Sequence, residues 1–235
     1  MTGNVLHGWR AEEYGRSRNG VALQAYLPAG EGPIAGLVTA AQHGEEAETG
    51  LLARRLLERV RGTETRWAVV QCLNPDGLLA GTRQNAAGVD LNRNFPSPTW
   101  RADPSFTYPP GIERARRVLA NRTNRSSPGE HAGSEPETQA AMGLVERLRP
   151  PVVVDLHSPL ELILVRGEPP AGVAEALGAS ADVPLERELE GPAPGSFDDW
   201  LGDRGIPALV YEVEHASLPA LCARHLPGLV ALLRA

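Results

Sequence analysis

The 235-residue chain contains no lysine, only two cysteines, and few aromatic residues, which make up 5% of the sequence. Its formal charge is −6, so it lacks the basic surface with which proteins bind the phosphates of nucleic acids. No run approaches the roughly 18 apolar residues of a membrane-spanning helix, and the N-terminus lacks the pattern of a secretory signal. These absences predict a soluble, cytoplasmic protein with no nucleic-acid or membrane partner.

The two cysteines are too few for a disulfide framework or a metal quartet. Cys72 lies in an apolar run and Cys222 in a late helical pattern. Such positions are typical of buried free thiols, which fit the reducing cytoplasm.

What the chain does contain is enough apolar sequence, 42% of its residues, for one large core, and we expect a single domain over residues 1–235. Short apolar runs alternate with segments of helical spacing. Strands are predicted at Ala35–Ala41, Trp67–Leu73, Pro151–His157, Leu162–Val165 and Ala208–Val213, and helices at Thr49–Val60, Ser134–Leu148 and Leu218–Leu233. This alternation predicts an α/β fold of three αβα layers around a mostly parallel, mixed central sheet.

Two local patterns add detail to this prediction, and one long segment does not fit it. NPDG at Asn74–Gly77 is typical of a turn, and Ser134 with Glu137 fits a capping box that begins a helix. The segment from Pro98 to Gly133 is much longer than an ordinary connection and is rich in polar residues and proline.

Polar side chains follow the predicted strands at the edge where an α/β sheet binds its ligands. His43 and Glu46 follow the first strand, His157 ends the PVVVDLH strand, and Glu212 ends another. Two imidazoles and one carboxylate match a catalytic zinc site, in which the fourth position is left to water. The alternative for each residue is an ordinary hydrogen-bonded histidine or an acid in the first turn of a helix.

The segment NAAGVDLNRNFP, Asn85–Pro96, carries three asparagines, an aspartate and an arginine between apolar residues. Together with HGEE, NPDG and DLHSP, in that order along the chain, it resembles the zinc carboxypeptidase family. The short amides of Asn85 and Asn94 are also suited to holding irregular backbone, and we predict that role for both.

The resemblance implies one Zn²⁺ per chain, held by His43, Glu46 and His157. It further implies that Glu212 takes a proton from the attacking water and passes it to the leaving amine. Glu214 is a competitor for this role, because alternation along the YEVE segment places both glutamates on the same side of a strand.

The same resemblance assigns roles to Arg83 and to three polar residues of the Asn85–Pro96 segment. Arg83 would stabilise the oxyanion that develops on the scissile carbonyl, while Asn92 and Arg93 would bind the terminal carboxylate of the substrate. Asp90 would accept a hydrogen bond from His43 and so orient it.

Four segments, TRQNAAGVDLNRNFP, GSEPETQA, DLHSPL and PGSFDDW, resemble one branch of the family. Its members hydrolyse the bond between γ-D-glutamate and meso-diaminopimelate in murein peptides, which implies a small murein tripeptide as substrate. Gly195 and Ser196 would leave room for it, and Asp198 or Asp199 would pair with the second amino group of diaminopimelate. Alternatively, this segment begins a helix with Ser196 as its cap.

Three other functions compete with this prediction. A general metallocarboxypeptidase would use the same residues. Deacylases of the aspartoacylase or succinylglutamate desuccinylase type share the zinc site, but they usually continue into a further β-rich domain, for which about twenty residues after Glu212 leave little room. A catalytically silent muropeptide sensor would lack a ligand or the base, and this sequence retains them all.

Overall fold

The structure is a computed structural model that describes residues 5–6, 9–30, 32–103, 127–187 and 193–235. Within these residues the chain forms a nine-stranded sheet in the order β1-β2-β3-β5-β4-β6-β9-β7-β8. The strands are β1 Val5–Leu6, β2 Trp9–Arg16, β3 Ala22–Pro28, β4 Gly36–Ala40, β5 Trp67–Val70, β6 Val153–His157, β7 Leu162–Arg166, β8 Leu185–Glu186 and β9 Ala208–Glu212. The helices are α1 Ala47–Arg59, α2 Pro75–Ala80, α3 Pro136–Leu148, α4 Val173–Ala181, α5 Phe197–Asp203 and α6 Leu218–Arg234, with one 3₁₀ turn at Leu91–Arg93.

The centre of the sheet is parallel and its flanks are mixed. β4 pairs in parallel with β5 and β6, and β6 pairs in parallel with β9. The N-terminal strands β1, β2 and β3 extend this core through antiparallel pairs, and β7 runs antiparallel to β9. The predicted mixed sheet of an α/β fold is therefore confirmed.

Helices cover both faces of the sheet and produce the expected three layers. α1, α4 and α6 pack on one face, around a core that includes Leu52, Leu177 and Leu229. α3 and α5 cover the other face, where Leu144 and Trp200 are buried. Because both faces are covered, the central strands are apolar at nearly every position, as the sequence pattern predicts.

Most predicted elements occur within a few residues of their expected bounds, but two local predictions are wrong. Asn74 does not begin a simple turn: its side chain accepts a hydrogen bond from the Gly77 N–H and caps α2. The capping box does not form either, because Glu135 is the N-cap of α3, and the Glu137 carboxylate accepts from the Arg18 N–H instead. Of the long segment 98–133, residues 104–126 lie outside the described part of the chain.

One face of the sheet changes from apolar to polar towards the carboxyl ends of its strands. On β6, Val153 packs in the core, whereas Asp155 and His157 continue the same face. On β9, Ala208 is followed in the same way by Glu212. The fold thus gathers ionisable groups at one end of a single face. No helix in the described ranges has the length and apolar character needed to cross a membrane.

Candidate metal centre and active site

A tight turn after β4 brings His43 and Glu46 together. The Glu46 N–H donates to the His43 carbonyl at 3.1 Å, and α1 begins directly after Glu46. The turn places His43 Nδ1 2.7 Å from Glu46 Oε1, and both side chains are buried.

The turn requires glycine at its second position. Gly44 packs against the backbone of Gly77 at the start of α2, and a Cβ on Gly44 would overlap the Gly77 carbonyl. The HGEE and NPDG motifs therefore meet backbone to backbone, which accounts for the glycine in HGEE. A Cβ on Gly77 would instead overlap the Asn74 side chain and the Gln84 carbonyl.

His157 completes the cluster from the neighbouring strand. Its Nδ1 lies 3.0 Å from Glu46 Oε2, so the two carboxylate oxygens each face one imidazole. One ligand atom from each of His43, Glu46 and His157 lies within 4.8 Å of the others, and all three residues are buried. The three residues predicted as zinc ligands are thus brought together.

The outward nitrogen of each imidazole faces a further carboxylate. Asp90 Oδ1 lies 3.2 Å from His43 Nε2, and Asp155 Oδ2 lies 2.9 Å from His157 Nε2. Thr39 Oγ1 donates to the other oxygen of Asp155 at 2.6 Å. Asp155 was not among the predicted site residues, although its position two residues before His157 on a strand places both on one face.

The charges of this cluster favour a cation at its centre. Burial by itself raises the pKa of Glu46, but His43 and His157 hold it below its usual range. Burial also lowers the pKa of His157, yet Asp155 and Glu46 hold it well above the ordinary value. The cluster therefore stabilises positive charge on the His157 imidazole, whose Nδ1 faces the same carboxylate as Nδ1 of His43.

This donor set fits zinc. Histidine nitrogens and a glutamate oxygen are preferred zinc ligands, and a set of three leaves an open position. The acceptors Asp90 and Asp155 fix the tautomer that presents Nδ1 of each histidine, as is usual for histidines bound to metal. Zinc is accordingly the cofactor that the residues present can hold.

Glu212 lies beside this cluster, at the end of β9, the strand that neighbours β6. It is paired in register with His157, and its side chain shares the polar face of the sheet. Burial raises the pKa of Glu212 to about 7; His157 opposes this effect and Glu46 adds to it. The N–H of Leu160 donates to Glu212 Oε2 at 3.3 Å.

Glu214, the competitor, is directed elsewhere. β9 ends at Glu212, so strand alternation does not extend to Glu214. Its Oε2 lies 2.7 Å from His225 Nε2 and 3.3 Å from an Arg224 nitrogen, both on α6.

Arg83 reaches the cluster through Asp90. Its Nε donates to Asp90 Oδ2 at 2.8 Å, while Nη1 lies 3.7 Å from Glu46 Oε1. Although Asp90 is fully buried, which raises its pKa, Arg83 and His43 hold that pKa well below the usual value. Asp90 thus contacts both His43, a candidate zinc ligand, and Arg83, the residue predicted to stabilise the oxyanion.

Asn92 and Arg93 lie in the 3₁₀ turn that Asp90 caps, where the Asp90 side chain accepts from the Asn92 N–H at 3.0 Å. Asn92 Oδ1 accepts from the Phe197 N–H at 2.8 Å, which directs the donor end of this amide away from α5. The buried Arg93 side chain donates from Nη1 to the Asn92 carbonyl at 2.5 Å.

The PGSFDDW segment begins α5. Ser196 is 1% exposed, and its hydroxyl accepts from the Asp199 N–H as the helix cap. Asp198 accepts from Arg166 Nε at 3.0 Å, and Asp199 accepts from Thr99 Oγ1 at 2.5 Å. Both carboxylates thus have partners within the protein, and a pair between either of them and the second amino group of diaminopimelate stays a prediction.

Gly195 is also not a source of empty space. Its φ is +70°, and a Cβ there would overlap the Arg93 carbonyl. The Gly195 carbonyl accepts from the Phe95 N–H at 2.9 Å. The glycine lets the start of α5 approach the 3₁₀ turn.

Asn85 and Asn94 hold irregular backbone, as predicted. Asn85 Oδ1 accepts from the N–H groups of Ala87 and Val89, and its Nδ2 donates to Glu135 at 2.7 Å. Asn94 Nδ2 donates to the carbonyls of two residues, Pro128 and His131. The role of Glu135 was missed because its partners are distant in sequence.

Comparisons with known proteins agree with this geometry. The sequence profile of the zinc carboxypeptidase family matches residues 30–175. The chain is 33% identical over 226 residues to murein peptide amidase A of Escherichia coli strain K12, covering 95% of this chain and 89% of that protein. It is also similar to a murein-tripeptide amidase from Escherichia coli O157 whose crystal structure is known, with 32% sequence identity and a TM-score of 0.82. That match covers 96% of this chain and 92% of the other. Carboxypeptidase A from Helicoverpa armigera shares the fold at 18% identity, with a TM-score of 0.66 and coverage of 90% and 61%.

Proposed function

Because this chain belongs to the zinc carboxypeptidase family, we propose that it hydrolyses the bond between γ-D-glutamate and meso-diaminopimelate in murein peptides. The supporting observation is the joint occurrence of two features. The chain is similar over 95% of its length to a murein peptide amidase, and it retains a buried His43–Glu46–His157 cluster beside Glu212.

His43, Glu46 and His157 would hold one zinc ion through Nδ1 of each histidine and the carboxylate of Glu46. Zinc bound there supplies Lewis acidity, which lowers the pKa of water towards ~7 and polarises a carbonyl. Asp90 and Asp155 hold the outward imidazole nitrogens and so keep both rings in the binding orientation.

Glu212 would act as general base and then as general acid. Its buried carboxylate is adjacent to the cluster, and burial raises its pKa to about 7, a value suited to both accepting and returning a proton near neutral pH. Arg83, which Asp90 holds within 3.7 Å of the Glu46 carboxylate, would stabilise the oxyanion on the scissile carbonyl.

Asn92 and Arg93 would bind the terminal carboxylate of diaminopimelate. The oxygen of Asn92 is occupied by the Phe197 N–H, so its amide group can donate, and the guanidinium of Arg93 supplies a planar pair of donors. A carboxylate held there would place the preceding amide bond towards the cluster. Ser196 would contribute indirectly. It caps α5, and the first residue of that helix, Phe197, donates its N–H to Asn92.

We propose the cytoplasm as the place of action, on free murein tripeptide. The two free cysteines, neither of them in a disulfide, suit a reducing compartment. Cleavage there would release the dipeptide and diaminopimelate for reuse.

The test is incubation of the zinc-loaded protein with L-Ala-γ-D-Glu-meso-diaminopimelate, with the products identified by mass spectrometry. We expect free diaminopimelate, and none from Glu212→Gln protein prepared in the same way. The same assay is run with three further substrates: the norleucine analogue of the tripeptide, an ordinary α-linked peptide and N-acetylaspartate.

Each competitor predicts a different preference. Equal or faster cleavage of the α-linked peptide would identify a general carboxypeptidase. Preference for N-acetylaspartate would identify a deacylase. Binding of the tripeptide without any turnover would identify a sensor.

A further inference from the structure

Behind the carboxyl end of β9, three side chains form a buried hydrogen-bonded chain that the proposed mechanism does not use. Tyr211 Oη lies 2.8 Å from His225 Nδ1, and His225 Nε2 lies 2.7 Å from Glu214 Oε2. The His225 side chain is 0% exposed, and Tyr211 is equally enclosed. Arg224 adds an ion pair to the same oxygen of Glu214 at 3.3 Å. We call these residues, Tyr211, His225 and Glu214, the α6 relay.

The direction of each hydrogen bond follows from the charges. Burial raises the pKa of Glu214, but the Glu214 backbone N–H, His225 and Arg224 hold it below the usual value. The carboxylate is therefore ionised and can only accept, so His225 Nε2 donates to it. Burial lowers the pKa of His225, which keeps the imidazole neutral and makes Nδ1 an acceptor for the Tyr211 hydroxyl.

The α6 relay holds the chain on both sides of Glu212. Tyr211 precedes Glu212 directly, and Glu214 follows two residues later. Because neighbouring side chains of a strand point to opposite faces, Tyr211 is anchored to α6 while Glu212 points to the metal centre. The Val213 N–H, between the two anchors, donates to the carbonyl of His157 at 2.8 Å.

Glu212 depends on this backbone for its position. Its carboxylate accepts from the Leu160 N–H at 3.3 Å, beyond the usual length of such a bond, so this contact constrains it weakly. A general base must lie within hydrogen-bond reach of the proton that it removes.

We propose that His225, through the α6 relay, is a positioning residue that sets the distance between Glu212 and the reacting water. This inference rests on the proposed function, since it takes Glu212 as the general base. Because the Tyr211 hydroxyl is bound to His225 behind the sheet, it does not face the metal centre.

The test is steady-state kinetics of zinc-loaded variants on L-Ala-γ-D-Glu-meso-diaminopimelate. Tyr211→Phe removes one hydroxyl, and His225→Leu removes both hydrogen bonds of the imidazole. We expect each to lower kcat by about 10- to 100-fold, as small displacements of catalytic groups do, with KM and zinc content unchanged. His225→Gln can accept from Tyr211 and donate to Glu214, so it should recover most of kcat.

Tyr14→Phe is the matched control. Tyr14 is also a tyrosine with a buried hydroxyl, but that hydroxyl has no hydrogen-bond partner within the described ranges. It lies on β2, remote from β9 in the sheet order. Its loss should leave kcat unchanged.

Two outcomes would overturn the inference. One is kcat within about twofold of wild type in both Tyr211→Phe and His225→Leu while Glu212→Gln is inactive. The other is a loss confined to KM. Full turnover by Glu212→Gln is a separate result, because it would remove the proposed general base itself. The conservative Tyr211→Phe change keeps the test valid if His225→Leu does not fold.

Discussion

Asp155 Oδ2 lies 2.9 Å from His157 Nε2, two residues further along the same strand. Thr39, aligned with Asp155 on the neighbouring strand, holds the other oxygen of that carboxylate. Asp90 faces His43 in the same manner from a separate loop. Each candidate histidine ligand therefore has its own carboxylate, so the orientation of both imidazoles is fixed by the protein.

Removing the carboxylate behind His157 should weaken zinc binding. We expect Asp155→Asn to lower zinc affinity by about 10- to 100-fold. The amide orients the imidazole less well than the carboxylate, and it no longer stabilises positive charge on the ring. Competition with a chromogenic chelator measures this. His157→Ala, which removes the ligand itself, gives the lower limit, and Asp203→Asn on the exposed end of α5 is the control. Wild-type affinity in Asp155→Asn would show that His157 does not depend on it.

The two glutamates near the end of β9 should behave differently. Glu212→Gln should lower kcat by ~10²–10⁴ with zinc content retained, because a general acid and base is lost. Glu214→Gln should lose less, since its contacts are with His225 and Arg224. Metal analysis and kinetics on the same preparations decide between them. A larger loss in Glu214→Gln would mean that Glu212 is not the base.

Arg83 and Arg93 should fail in different ways. Arg83→Ala should lower kcat by ~10²–10³, comparable to the loss of one oxyanion donor, whereas Arg93→Ala should raise KM as well. Because Arg83 also holds Asp90, zinc content must be measured for each variant. Identical defects limited to KM would contradict the role proposed for Arg83.

The pH dependence of stability should contain a contribution from His225. Burial lowers its pKa in the folded protein, so the unfolded chain binds this proton more readily. The free energy of unfolding should therefore fall as pH drops through the unfolded value near ~6.5, by at most about 1.4 kcal/mol per pH unit for one proton.

Urea unfolding of His225→Gln at pH 7.5 and pH ~5.5 measures this contribution, because the metal centre is the same in both proteins. The variant should lose less stability on acidification than wild type. His131→Gln, which changes an exposed histidine, is the control. Parallel curves for His225→Gln and wild type would show that this imidazole does not resist protonation.

The central strands and the candidate ligands could be predicted because each leaves a local pattern. Buried parallel strands form continuous apolar runs, and polar residues at their ends stand out against them. Asp155 could have been found by the same two-residue period that links it to His157.

The contacts that hold the site together could not be predicted in this way. Ser134 and Glu137 have the spacing of a capping box, but Glu137 binds the Arg18 N–H and Asn85, both distant in sequence. The N-terminal strands were also missed, since β2 is mostly polar and lacks a clean alternation. Such elements depend on partners that a local pattern does not identify.

The contact between Gly44 and Gly77 limits how this catalytic centre could be transplanted. Because no side chain fits between them, the loop that carries His43 and Glu46 takes its shape from the start of α2. A designer who grafts the HGEE loop onto another scaffold would have to carry the NPDG segment with it. The two motifs are therefore one module, although more than twenty residues separate them in the chain.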